Sequence, residues 1–421
     1  MALADSTPQH NVTVDDVITT VVMARVTDFF GFFVYAIASA IIFPTVFFPF
    51  LDPISGTLWS FAIFSLAFLA RPIASIMGRK LQRRIGKAGK ITLALMLLGT
   101  STVAIGLLPG YEEIGLTAPI LLAILRFIQG LGLGGAWDGI TLQLKSAAPD
   151  DREGLYGMVP QLGGPIGFCV AAALFYVLTD FLTVDELFSY GWRFAFFAVM
   201  AVNVVALFAR LRLLTTNFGV EDETLLKSAP MGDLLREEGR TIFLSALLPI
   251  ASYAVFHMVT VFPLSYSLLL SDHDIADILL WQLLGGALGV LAVIVSGVLA
   301  DLMTKRRVLL ISCFSIVLLA ATIGTLENHP HIYILLGFVV LGLSYGQSSS
   351  IVPNRFRPEF RYSGAALSTN LSWILGAAFA PFLGLLLAAT FGLWASALYM
   401  LSGAAVTAAS LYFLEKRLMS A

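Results

Sequence analysis

Gly78-Arg79-Lys80-Leu81-Gln82-Arg83-Arg84-Ile85-Gly86-Lys87-Ala88-Gly89-Lys90 separates two long apolar runs. The next polar gap, Pro109 to Thr117, holds Glu112 and Glu113 and no base. The same alternation runs the length of the chain. Bases recur at Arg152, from Arg210 to Arg240, from Lys305 to Arg307, from Arg355 to Arg361 and at Lys416-Arg417. The intervening gaps carry Asp52, then Asp180, Asp185 and Glu186, then Asp272, Asp274 and Asp277, then Glu327, with Arg193 the only base near that side. Positive loops are retained on the cytoplasmic side of a membrane, so the pattern predicts a polytopic membrane protein with both termini inside.

Composition points the same way. Of 421 residues, 58% are hydrophobic and 12% charged, with a mean hydropathy of +0.88, whereas about a quarter of residues are charged in soluble domains. Runs of roughly 20 apolar residues cross a hydrocarbon core of about 30 Å as helices, and barrel strands would alternate instead. The expected fold is therefore all-α. Twelve transmembrane helices are predicted, at 16–43, 55–77, 91–108, 118–146, 154–179, 191–212, 241–270, 276–300, 307–325, 332–352, 362–389 and 392–414. Met1 to Asp16 is polar and acidic, and no cleavable signal is read there. A net charge of −2 and a pI near 6.2 point away from nucleic acid and leave the lipid bilayer as the expected surroundings. Cys169 and Cys313 both fall inside predicted helices, where packing is expected rather than a disulfide.

The longest gap, Leu213 to Arg240, contains Glu221-Asp222-Glu223 and Leu234-Leu235-Arg236-Glu237-Glu238. A polar linker midway through twelve helices predicts two six-helix bundles, 1–212 and 241–421, joined by a cytoplasmic segment at 213–240. In such an arrangement a central site faces each side in turn.

The gap after the eighth helix reads Gly297-Val298-Leu299-Ala300-Asp301, followed by Lys305-Arg306-Arg307, and the gap opened by Gly78 stands at the matching place in the first half. This Gly-x-x-x-Asp pattern followed by bases resembles the loop signature of the major facilitator superfamily. Further stretches resemble the metabolite:proton symporter family within it. They are Asp52-Pro53 leading to Phe68-Leu69-Ala70-Arg71-Pro72, Arg126-Phe127-Ile128-Gln129-Gly130 running on to Gly134-Gly135-Ala136-Trp137, and Gly154-Leu155-Tyr156-Gly157 with Pro160-Gln161. Gly191-Trp192-Arg193 and Phe360-Arg361-Tyr362-Ser363-Gly364 complete the set. The resemblance implies a major facilitator fold, secondary active transport of organic acids or zwitterions, protons as coupling ion, and a functional monomer. It also implies gating roles for Asp301 and Arg306 and, at the first-half position, for Gln82 or Arg83. Three departures stand out. The acid that follows the paired glycines of the fourth helix in the family is Ala136 here, with Asp138 two residues later. The second acid of the family's first-helix pattern is missing from Asp28-Phe29-Phe30-Gly31-Phe32-Phe33, and the first-half loop has Gln82 or Arg83 in place of its acid.

Charges inside spanning helices cost at least about 2.5–3.5 kcal/mol each and mark pathways or partners. In the first half these are Arg25, Asp28, Arg126 and Asp138. Arg25 and Asp28 are three apart and share a helix face. In one reading Asp28, supported by Asp138, carries the coupling proton while Arg126 or Arg25 holds a substrate carboxylate. Desolvation makes a carboxylate retain its proton and a nearby cation makes it release it, so an arriving anion can switch the acid. In the other, Arg25 with Asp28 and Arg126 with Asp138 are permanent pairs that only neutralise one another. In the second half, His257 is either a proton-range substrate contact or a neutral core residue. Tyr345, Gln347, Asn370 and Trp373, on the tenth and eleventh helices, line the cavity or bond between helices.

Gly163-Gly164-Pro165-Ile166-Gly167 is read as close helix packing. Gly130-Leu131-Gly132-Leu133-Gly134 lacks the βαβ context of a nucleotide site. No metal cluster, cofactor motif or catalytic triad is read. The expected activity is proton-coupled symport of a small organic anion across the inner membrane. A zwitterion carrier, such as one for a betaine or amino acid, is the alternative, and a membrane sensor without flux stands behind both.

Overall fold

The computed structural model describes residues 14–135, 144, 148–149, 151–215 and 231–418. Among these residues, ten helices are long and apolar enough to cross a membrane. In chain order they are α1 (Asp15–Ile41), α2 (Pro53–Gly78), α3 (Ala88–Gly106), α4 (Thr117–Gly135), α5 (Glu153–Phe181), α6 (Val184–Phe208), α7 (Ile250–Leu270) and α8 (Ile275–Leu302), with α11 (Pro358–Phe391) and α12 (Leu393–Phe413) at the end of the chain. The shorter α9 (Lys305–Ala321) and α10 (Pro330–Tyr345) complete the expected twelve. Large apolar side chains such as Phe181, Phe208, Leu302, Phe314, Trp394 and Phe413 stand exposed around the outside. A surface of this kind is stable only against lipid. The protein is thus a multi-pass membrane protein of all-α class.

Local chemistry explains the boundaries. Asp52 caps α2: its carboxylate accepts from the Ser55 amide at 3.0 Å, and Pro53 supplies the first helical residue, where no N–H is required. Those hydrogen bonds hold the Asp52 carboxyl below its ordinary value. The cap is therefore intact at neutral pH and weakens only as pH falls through that lowered value. The basic gap after α2 is not a loop. Helix continues on both sides of one break at Gly86, whose φ of +77° is open to glycine without strain.

The seventh span differs most from expectation, which had one helix over 241–270. Helix runs earlier, over Met231–Leu247, so the end of the predicted linker is helical. It stops at Leu248-Pro249, resumes as Ile250–Thr260, kinks at Val261 and continues as Phe262–Leu270. Proline accounts for both breaks, because it lacks the N–H that would bond four residues back. Each break is mended from a neighbouring helix. Thr407 on α12 accepts from the Ala251 amide at 2.9 Å. Gln282 on α8 donates to the carbonyls of Val259 and Thr260 at 3.2 and 2.9 Å. Within a bilayer, broken backbone survives only where such partners exist.

The tenth helix is also shorter than predicted. It ends at Tyr345, and Gln347 lies in the turn beyond it. Ser348 Oγ donates to the Tyr345 carbonyl at 2.8 Å, one of the local serine bonds that compete with helix. Cys169 and Cys313 are free thiols.

The twelve spans form two six-helix bundles, α1–α6 and α7–α12. Basic gaps collect at one end of the molecule and acidic gaps at the other. At the basic end the bundles are latched together. Asp301 at the end of α8 accepts from the amides of Gly154 (2.5 Å) and Leu155 (3.1 Å) at the start of α5. Lys305 pairs with Glu153 at 2.6 Å, and Gln347 donates to the Gly154 carbonyl at 3.1 Å. Gln161 and Ser349 are hydrogen-bonded beside them. A second bridge joins α11 to α2, where Asn370 Nδ2 donates to Ser75 Oγ at 2.8 Å.

Candidate functional site

The bundles meet at mid-depth in a layer of rings. The first bundle contributes Phe29, Phe32 and Phe33 from α1 with Phe64 and Phe68 from α2. The second contributes Tyr253, Phe256 and His257 from α7, Tyr345 from α10 and Trp373 from α11. Phe33 stacks on Phe256 with centroids 5.5 Å apart, Phe32 lies tilted against His257 at 5.5 Å, and Phe68 stacks on Trp373 at 6.0 Å. Offset and edge-to-face contacts of this kind are each worth about 0.5–1.5 kcal/mol beyond burial.

Arg126 lies on the acidic-end side of these rings and is 1% exposed. Its guanidinium sits 3.8 Å from the Tyr35 ring centroid and 4.8 Å from that of Phe64. Nε donates to the Phe64 carbonyl at 3.2 Å and Nη1 to Gln129 Oε1 at 3.0 Å, while Gln129 Nε2 donates to Thr102 Oγ1 at 2.7 Å. Arg126 Nη2 is buried with no hydrogen-bond partner. The Arg126 guanidinium also lies 5.7 Å from the Phe32 ring centroid, and His257, fully buried, rests on Phe32 at 5.5 Å and Phe64 at 5.3 Å. Its Nδ1 lies 3.4 Å from Thr260 Oγ1, and its Nε2 has no partner. Two unsatisfied ring-supported nitrogens, one per bundle, thus lie in one apolar compartment. A carboxylate supplies acceptor oxygens for Arg126 Nη2, and for His257 Nε2 when the imidazole carries its proton on that nitrogen.

The Arg25–Asp28 pair expected on α1 is present at 3.9 Å, longer than a charge-assisted hydrogen bond of about 2.7–2.9 Å. Asp28 also lines a small cavity with Gly31, Phe32, Arg126, Gln129 and Asn203. Asp138 lies outside the described residues. Among the described residues, no carboxylate is in salt-bridge contact with Arg126.

The second-half candidates divide. Tyr345 and Trp373 join the ring layer with His257, Trp373 lying 4.4 Å from Tyr253. Gln347 and Asn370 instead belong to the bridges between bundles. Asp301 belongs to the latch, and Arg306 stands in the first turn of α9. Gln82 lines a cleft with Tyr362 and Ser363 of α11, and Arg83 is exposed.

One residue at the centre escaped the sequence reading. Arg71 on α2 has its guanidinium 5.5 Å from the Trp373 ring centroid, with Arg25, Asp28, Tyr253 and Tyr345 as its charged and phenolic neighbours. The signal was the Arg71-Pro72 pair inside an apolar run. Gly134 of α4 packs on the Arg71 backbone so closely that a Cβ there would collide with its carbonyl. The glycine-rich stretch of α4 thus fixes the helix that carries Arg71. Gly167 of α5 packs likewise on Phe29 of α1, in keeping with the expected packing role. Arg193 serves the fold, since its Nη1 donates to the carbonyls of Gly106 and Leu108 at 2.9 and 2.7 Å and so closes the end of α3.

Comparison with known proteins follows the same lines. The family model of the Major Facilitator Superfamily matches residues 29–369. The inner membrane metabolite transport protein YhjE of Escherichia coli (strain K12) is 36% identical over 394 residues, covering 90% of this chain and 89% of its own. The shikimate transporter of the same organism is 29% identical over 404 residues, covering 91% and 90%. Among solved structures, a D-xylose-proton symporter superposes with a TM-score of 0.70 at 16% identity, covering 94% of this chain and 97% of its own, a likeness of fold alone. A match that spans both bundles, on a chain whose helices close around a charged aromatic centre, assigns the chain to a transporter family and not to an enzyme: it belongs to the Major Facilitator Superfamily.

Proposed function

We propose that this chain is a proton-coupled symporter that carries a small organic carboxylate inward by alternating access. Bundles 1–212 and 241–421 rock about the central site, joined by a linker at 213–240, and the monomer is the working unit. The basic end faces the cytoplasm, with both termini, in a bacterial inner membrane.

The observation that carries this reading is Arg126, whose buried Nη2 lacks a partner and whose compartment also holds the unpartnered Nε2 of His257. A buried guanidinium without an anion is costly by several kcal/mol. A carboxylate bridging Arg126 and His257 removes that cost and joins the two bundles, so occupancy and closure favour each other. Asp28, with Asp138 in support, is the proposed proton carrier, because it adjoins both Arg25 and the cavity of Arg126. Protonation of Asp28 releases a cation for substrate, and loss of the proton reclaims it. Binding of the two solutes is then mutually dependent.

The test is proton movement by purified protein in liposomes challenged with mono-, di- and tricarboxylates, aromatic acids and betaines. A substrate-evoked alkalinisation of the medium with one acid class is expected. Asp28→Asn should abolish uphill uptake while sparing exchange; undiminished accumulation would remove Asp28 as the carrier.

The ring layer itself favours a second reading. Trp373, Tyr253, Phe256 and Phe29 surround the centre, and such cages attract methylated ammonium groups by cation–π contact. A betaine-type zwitterion, with its carboxylate at Arg126 and its ammonium in the cage, would give the pH response with betaines and not with simple acids.

A further inference from the structure

The carboxylate at Arg126 leaves the second guanidinium at the centre, Arg71, without a ligand. It stands seven residues along α2 from Phe64, whose carbonyl holds Arg126. At about 1.5 Å per residue the two positions are about 10 Å apart along the helix, on opposite sides of the ring layer. Resting on the carboxylate-symport reading, we propose that Arg71 is a second carboxylate subsite, where the substrate stops before release to the cytoplasm and where Asp28 competes with it.

Charge balance is the first argument. Arg25 and Arg71 are two cations, and Asp28 is the one carboxylate beside them among the described residues. Among the described residues, one positive charge is left over when all are ionised, at mid-depth in the membrane, where it is expensive. Pairing geometry is the second. Asp28 reaches Arg25 only at 3.9 Å, and Arg71 Nε is buried with no hydrogen-bond partner. The third is construction. The Arg71 guanidinium lies over Trp373, which Tyr253 and Phe68 hold in place. The phenols of Tyr253 and Tyr345 lie within electrostatic reach of it, and Gly134 fixes its backbone. Location is the fourth. Ser75, one turn further along α2, makes the bridge to Asn370. Arg71 is therefore the cation directly behind the closure at the basic end, and the first exposed when that closure opens.

The groups around Asp28 are Arg25 on its own helix, Arg126 and Gln129 on α4, Asn203 on α6 and Arg71 on α2, which is itself within electrostatic reach of Tyr253 on α7 and Tyr345 on α10. Once protonated, Asp28 gives up its hold on the inner cations and the substrate carboxylate takes it. When the proton leaves to the cytoplasm, the carboxylate of Asp28 returns and displaces the substrate. No bond other than O–H is made or broken. Release is driven by competition at a site that Arg126 does not reach.

The experiment measures apparent KM from each face of oriented proteoliposomes holding the full-length protein, with benzoate, shikimate and succinate as probes. Arg71→Lys keeps the charge but loses the bidentate fork. It should raise the internal-face KM about tenfold or more and leave the external-face KM within about twofold. Asp28→Asn, which removes the competing carboxylate, should lower the internal-face KM. Phenylglyoxal labelling of the unsubstituted protein, read by peptide mass, should show Arg71 protected by an internal probe acid, and needs no variant to fold. Equal KM changes on both faces, or labelling of Arg71 indifferent to internal acid, would overturn the inner subsite while leaving symport intact. Failure of the unsubstituted protein to take up any of the three acids would overturn the carboxylate reading, and the subsite with it.

Discussion

Arg126 concentrates the residue-scale chemistry. Its two engaged nitrogens fix the guanidinium against Phe64 and Gln129, so the third is preset for a ligand rather than free to swing. Lysine keeps the charge and loses this geometry. Arg126→Lys should cost about 2 kcal/mol of binding, a roughly 30-fold rise in apparent KM in the liposome assay. A KM within twofold of the unsubstituted protein would show that the fork makes no contact with substrate. Arg25, Asp28, Arg126 and His257 were legible because a charged or titratable group in an apolar run has no solvent to explain it. Arg71 was not singled out, because it sits near the end of its run, seven residues before Gly78, and reads as a flank of the basic gap. Gln347 was legible as polar and buried, but no pattern says whether a buried amide meets a ligand or another helix. Here it meets the Gly154 carbonyl.

At the scale of the element, α7 is the informative one. Hydropathy reads 241–270 as one apolar run, and so it predicts one helix. Pro249 and Pro263 break it, and the freed carbonyls turn to Gln282 while Thr407 receives the freed amide of Ala251. Gln282→Leu preserves bulk but strands the Val259 and Thr260 carbonyls. Thermal unfolding should report a loss of about 1–3 kcal/mol, the cost of an unsatisfied buried group. An unchanged unfolding temperature would mean that the break needs no mending. Such a break next to His257 also lets the two parts of α7 tilt separately as the central site fills. The basic gap at 78–90 taught the opposite lesson. Its charges led to a loop being expected, yet helix persists to either side of Gly86, because charges outside the bilayer do not oppose helix formation.

The whole molecule is held closed at the basic end by unequal means. In the second half Asp301 receives two amides of α5 at the bundle interface, a helix N-terminus meeting a carboxylate. In the first half the matching position is Gln82 or Arg83; Gln82 is neutral and lines a cleft against α11, and Arg83 is exposed. Closure therefore depends on the Asp301 side, reinforced by Lys305 with Glu153. Asp301→Asn should shift the population toward the form open at the basic end by about tenfold or more, since a charge-assisted bond exchanged for a neutral one loses about 1.5 kcal/mol. Cysteine accessibility from the basic end, probed at Ser75→Cys, reads this directly. Accessibility unchanged from the parent would place closure elsewhere.

Class, span count and the placing of charges came from the sequence alone, because lipid imposes them locally: apolar runs must be long enough to cross, and bases must stay at one end. Most of the buried ionisable residues could be picked out for the same reason. Which of them meet was decided only by the tertiary structure. Arg71 and Trp373 are about 300 residues apart in sequence and touch through packing that glycines of α4 make possible. Arg126 and His257 come from different bundles and share two rings. A one-dimensional pattern records the cost of each buried polar group, but only three-dimensional packing shows which groups meet that cost with each other and which are left for a ligand.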